Sequence, residues 1–184
     1  MTQVRALRPA LARFARDASG GALIELALVL PLLLLLVFGI FDFGRIFWLE
    51  SAARKATETA VRRAALRAPV CAGVPAIHEI APGAGTTRYG TLCRAGGVCA
   101  DPGTQSCTLA EAEGAAARAT ADEIWAAVAP LVPGIAGREN LRLSYRFDPR
   151  LGFLGGPYSP VVSAELVGVE VGLVSPLGRL ADLA

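Results

Sequence analysis

Hydrophobic positions are distributed very unevenly along this chain. Ala22 to Phe41 is an apolar run of twenty residues broken by one charge, Glu25. At ~1.5 Å rise per residue a helix of that length matches a bilayer core of ~30 Å, so the run predicts a membrane-spanning helix. From Asp42 to Ala68 there is no proline, and Ala52, Ala53, Ala56, Ala60, Ala64, Ala65 and Ala68 recur. The helix is therefore expected to continue as a stalk, a rod of 47 residues about 70 Å long. Asp42 with Arg45, Glu50 with Arg54 and Glu58 with Arg62 place the acid first at i,i+3 or i,i+4, the better order on an exposed helix. Ala53, Ala56, Ala60 and Ala64 form a smooth stripe, suited to packing against the protein's own domain or a second subunit. Pro69 is expected to end the rod.

Beyond it, Val70 to Cys107 is rich in proline and glycine and reads as an irregular loop. Thr108-Leu109-Ala110-Glu111 has the form of a capping box and opens a predicted helix running to Ala129, with Ile124, Trp125 and Val128 as bulky anchors. Pro130 and Pro133-Gly134 close it. Leu141, Leu143, Tyr145 and Phe147 alternate with Arg142, Ser144, Arg146 and Asp148, the period-two signature of a half-buried strand. Val161 to Val174 reads as a second strand, with Val161, Val167, Val169, Val171 and Leu173 on one parity. A lone strand pair is marginal in water, so it must lean on the Thr108 helix, the end of the rod or a partner's strand edge. The fold class is α+β: a long N-terminal transmembrane and stalk helix, then a small disulfide-stapled domain with one helix on a short antiparallel strand pair. The expected divisions are a basic leader (1–20), the membrane helix (21–41), the stalk (42–68), a Cys/Pro/Gly-rich loop region (69–107) and a small α+β extracytoplasmic domain (108–184). Ser175 to Ala184 reads as a loose tail or a last short turn.

Four cysteines, Cys71, Cys93, Cys99 and Cys107, all follow the membrane run. An even count in a loop-rich region points to two disulfides in an oxidising compartment, with three pairings open. They lack the close Cys-x-x-Cys pair of structural zinc sites, so no metal ligand set is assigned. His78, the only histidine, has no ligand-spaced acid cluster beside it and reads as a surface residue.

Charge refines this picture. Net charge is +2 and the basic residues are spread along the chain, which gives nucleic-acid binding no support. The leader carries Arg5, Arg8, Arg13 and Arg16 against Asp17 alone, which favours a cytoplasmic N-terminus, although Arg45, Arg54 and Lys55 oppose it from the other flank. The apolar run is too long for an ordinary cleaved signal. It exits through Phe38, Phe41, Phe43, Phe47 and Trp48, an aromatic group suited to a membrane interface. No Gly-x-Ser-x-Gly elbow, His-Glu-x-x-His helix or phosphate loop occurs, and Glu165 and Glu170 read as solvent-facing. No catalytic residue and no cofactor are assigned.

A carboxylate inside an apolar helix costs roughly 2.5 to 3.5 kcal/mol at its centre and less near an interface, so Glu25 calls for a role. Ser19-Gly20-Gly21-Ala22-Leu23-Ile24-Glu25 resembles a type IV prepilin site, in which a cut between Gly20 and Gly21 makes Glu25 the fifth residue. Arg13-Phe14-x-Arg16-Asp17-x-x-Gly20, with Ile24 through Pro31 and Phe38-Gly39-Ile40-x-x-Phe43-Gly44-Arg45, is similar to the TadE-like pseudopilins of tight-adherence systems, over Arg13 to about Arg67. Leu26 departs from the aromatic residue that usually follows the glutamate in that family. The resemblance implies a minor pilin-like subunit that is processed by a prepilin peptidase and takes part in assembling a tight-adherence type IV pilus. The partners it implies are that peptidase, other pilin or pseudopilin subunits, and the inner-membrane platform and secretion ATPase of the pilus machine. The chain would sit in the lipid bilayer of the inner membrane as a single pass, its C-terminal domain periplasmic or extracellular.

Physically, the new amine on Gly21 and Glu25 share a helix face at i,i+4. Glu25 can meet that amine, meet a neighbouring subunit's amine as the resemblance implies, or snorkel to the headgroups. Pro31 removes one main-chain hydrogen bond and predicts a kink or local loosening near Ala27. The competing reading is an uncleaved single-pass anchor with a periplasmic binding or structural domain.

Overall fold

The computed structural model describes residues 21–132, 134 and 136–172. The leader, the Gly20 side of the cleavage site and the tail from Leu173 lie outside the described residues. Two compact units are present. One is Ile46–Val171; the other takes in the described residues up to Arg45 together with Gly172.

The first element, α1 (Gly21–Ala64), is one continuous helix that contains Pro31. Its apolar side chains from Leu23 to Phe47 are almost all exposed. Asp42 is buried, and the Arg45 guanidinium donates to the Gly172 carbonyl at 3.1 Å. Glu50 pairs with Arg54 as expected at 2.6 Å, whereas Glu58 lies 4.0 Å from Lys55.

The helix ends at Ala64, four residues before the expected stop at Ala68. Ala65 N–H still reaches the Val61 carbonyl at 2.9 Å, but Leu66 N–H turns to Arg63 at 3.1 Å, a tightened last turn. Proline disfavours helical geometry in the residue before it, so the chain unwinds ahead of Pro69. Arg62 and Arg63 in the last turn complement the helix dipole.

In the Ile46–Val171 unit, Ala56, Ala60 and Ala64 are at most 2% exposed and join one apolar cluster with Val70, Leu109, Ile124, Val128, Leu141, Leu143 and Tyr145. The alanine stripe thus packs on the protein's own domain. Full burial of each larger aliphatic side chain contributes about 1.5–3 kcal/mol.

Among the described residues the sheet has three antiparallel strands, β1 (Gln105–Thr108), β2 (Leu141–Arg146) and β3 (Val161–Leu166), in the order β1-β2-β3. The expected pair is present, and β1 is an addition to it: the end of the supposed irregular loop pairs with β2, Cys107 opposite Leu143. In β2, Leu141, Leu143 and Tyr145 are buried while Arg142 and Arg146 are exposed, the alternation that predicted it.

The second expected strand stops at Leu166, and Gly168 takes a positive φ of 64° soon after. Its facing also differs from expectation. Tyr145 pairs with Val162, Leu143 with Ala164 and Leu141 with Leu166, and directly opposed residues share a face of an antiparallel sheet. The even positions therefore meet the core, not the parity of Val161 and Val167. Glu165 points outward to Arg142, 3.3 Å away.

The second helix, α2, is Ala115–Val128, not a continuation from Thr108. Thr108 N–H does donate to the Glu111 carboxylate at 2.7 Å, but that closes only a 3₁₀ turn at Leu109–Glu111. Gly114, at φ +83°, then resets the chain direction before α2. A 3₁₀ turn at Ala129–Leu131, with Pro130, follows the helix.

Candidate functional site

Gly21 is the first described residue of α1, and Glu25 lies four positions on, so the two share a helix face. Both are exposed. The helix they begin is long and apolar enough to cross a membrane. The side chains of its apolar stretch are almost all exposed, unlike those of Ala56, Ala60 and Ala64 further along the same helix. Phe38, Phe41, Phe43, Phe47 and Trp48 are exposed where the apolar run gives way to charged sequence. The helix continues through Pro31, with no break near Ala27.

All four cysteines are paired. Cys71 joins Cys107 and Cys93 joins Cys99, one of the three connectivities the sequence left open. The first links the segment after α1 to β1, and the second closes a short loop over a small cluster of Val98, Leu154 and Phe147. Around this loop the supposed irregular stretch is ordered against residues 152–158. His78 N–H donates to Gly156 at 2.9 Å, Gly155 N–H to His78 at 2.8 Å, and single bridges pair Ile77 with Pro157 and Leu92 with Phe153.

His78 is not a surface residue: it is 1% exposed. Its ring lies against Tyr158, centroids 5.0 Å apart, and Phe147, 6.1 Å apart. Ser159 N–H donates to its Nε2 at 3.3 Å, whereas Nδ1 is buried without a hydrogen-bond partner. Burial holds its pKa below the ordinary histidine value. The sequence reading misplaced it because its neighbours Cys93, Phe147 and Tyr158 all come from other segments.

A charged group unmarked by any motif sits beside the end of α1. Arg67 donates twice to Glu123 of α2, at 2.8 and 3.1 Å, and Arg63 donates to the same carboxylate at 3.1 Å. The hydrogen bond from Arg67 holds the Glu123 carboxyl below the usual range, and its charge and that of Arg63 act the same way. Thr59, Arg62 and Leu66 complete the rim of this open groove of about 400 Å³. Here the arrangement fastens two helices. It presents no acid and base aimed at a common point.

Comparison with known proteins adds one match. The family model described as TadE-like protein matches residues 20–62. No curated protein and no solved structure matches the chain. The matched stretch contains the Gly21–Glu25 face, the exposed apolar run and the aromatic group. This likeness, confined to residues 20–62, supports a TadE-like, pilus-related protein.

Proposed function

We propose that the chain is a minor pilin-like subunit of a tight-adherence type IV pilus, a structural part rather than a catalyst. It inserts in the inner membrane with its arginine-bearing leader in the cytoplasm, and a prepilin peptidase cuts between Gly20 and Gly21. The amine freed on Gly21 meets a neighbouring subunit's glutamate as its own Glu25 meets another amine. This fixes register between helices, a use to which buried polar groups are put elsewhere. Leu26 to Ile40 supply the helix packing, and the disulfide-bonded unit faces the periplasm or exterior. Other pilin-like subunits, the inner-membrane platform and the secretion ATPase are its further partners.

The observation that supports this reading most is the placement of Glu25, an exposed carboxylate four residues after Gly21 in the apolar stretch of α1, whose side chains are almost all exposed. Left alone in hydrocarbon it is a cost; beside an ammonium it becomes a specific contact. Glu25→Gln keeps the shape and removes the charge. The expected outcome is normal recovery in the membrane fraction with loss of the subunit from sheared pili or from its complex with other pilin-like subunits. Unchanged incorporation would remove the assigned role of Glu25.

A further inference from the structure

Outside α1, six of the eight large apolar side chains that are exposed among the described residues, Ile77, Ile80, Tyr89, Leu92, Leu151 and Phe153, come from the loops around residues 152–158. Scattered exposed apolar residues are ordinary, but a concentration of them marks a contact surface. We infer that a second copy of this chain docks here, the Tyr89 ring of each copy seated in a groove of the other beside Glu79. The inference is independent of cleavage at Gly20 and of the role assigned to Glu25.

Tyr89 is the projecting part. At 76% it is the most exposed of the described aromatic side chains, and its ring rests on Gly155, where a Cβ would run into it. The receiving part is a groove of about 280 Å³ lined by Pro75, Ile77, Pro102 and Tyr158, with Glu79 as its charged member. That volume falls below the roughly 300–1,000 Å³ of sites for drug-sized ligands and suits a single aromatic side chain. The two parts of one copy lie apart: Leu154 exchanges hydrogen bonds with Gly90 and Thr91 on the Tyr89 side, while Gly155 and Gly156 bond to His78 on the Glu79 side. A Tyr89 held on Gly155 therefore leaves its own groove open to another chain.

Charge selects a second copy as the occupant. Arg88, next to Tyr89, and Glu79, at the groove, are both exposed, and neither has an ion pair or a side-chain hydrogen bond among the described residues. The projecting part thus carries an unpaired cation and the receiving part an unpaired anion. Because both parts lie on one surface, a two-fold axis satisfies them together, each copy's Arg88 meeting the other's Glu79. In such a contact the aromatic anchor supplies most of the affinity, and the rim charges set register and reject wrong partners.

The test is sedimentation equilibrium of the full chain in density-matched detergent micelles. Wild type should dimerise. Tyr89→Ala should weaken the dimer at least about tenfold, as loss of an interfacial aromatic anchor does. Arg88→Glu and Glu79→Arg, each placing like charges together, should each weaken it about tenfold, and the two combined in one chain should restore it. Should Tyr89→Ala disturb the loops it rests on, the charge exchange decides alone, since Arg88 and Glu79 are exposed. In Arg88→Lys, carbodiimide should join the introduced amine to Glu79 of the other copy, giving a cross-linked dimer that Glu79→Gln abolishes. A wild-type chain that stays monomeric, association equal in all variants, as a contact through α1 alone would give, or a combined exchange that fails to restore the dimer would each overturn the inference.

Discussion

Val70 donates its buried main-chain N–H to the hydroxyl oxygen of Tyr145, 3.2 Å away. The residue just after Pro69 is thereby tied to the central strand, and the change of direction at the end of α1 is fixed to the sheet. Burial pushes the Tyr145 phenol above its ordinary pKa, while the Val70 N–H pulls it back. Tyr145→Phe keeps the ring and removes the acceptor, which strands a buried N–H. Such a loss costs about 1–3 kcal/mol. The denaturant midpoint of the variant should fall with its m-value unchanged; an unchanged midpoint would show that the contact adds no net stability.

Cys71–Cys107 and Cys93–Cys99 close loops of very different size, with sequence separations of 36 and 6. On the chain-entropy relation the first contributes about 4 kcal/mol and the second about 2. Cys71→Ala with Cys107→Ala should therefore lower the unfolding midpoint distinctly more than Cys93→Ala with Cys99→Ala. Equal losses would mean that strain or packing outweighs loop closure.

The Glu123 carboxyl is held below its ordinary pKa by Arg67 and Arg63. A depressed folded-state pKa contributes stability above the unfolded value and loses it as pH falls through the folded one. Acidification from neutral pH through the carboxylate range should thus weaken the clasp between α1 and α2, and Glu123→Gln should flatten that part of the pH dependence of thermal unfolding. Because the group is exposed, the effect is small and shrinks with added salt. A Glu123→Gln profile parallel to wild type would assign the acid sensitivity elsewhere.

The elements most legible in the sequence are those with a sustained period. The apolar run, the alanine stripe and the Leu141-Leu143-Tyr145 alternation appear in the structure as α1, its packed face and β2. The short β1 strand has no such signal: Gln105, Ser106 and Thr108 are polar, and only Cys107 opposite Leu143 marks its partner. Thr108 and Glu111 form a genuine local motif, but Gly114 at positive φ limits it to a single turn. The parity of β3 was decided by register with β2, which lies some twenty residues earlier in the chain and cannot be read from β3 alone. At the candidate site, the Gly21–Glu25 relation was legible because it is local to one helix. His78 was misplaced because its surroundings are assembled by tertiary contacts.

The central claim is that Glu25 is tolerated in an apolar helix because cleavage beside it creates a positive terminus on Gly21. Intact mass of the chain extracted from the membranes of its native host tests this most directly. The account predicts a polypeptide that begins at Gly21, lighter by residues 1–20; a chain that still carries Met1 to Gly20 would contradict it.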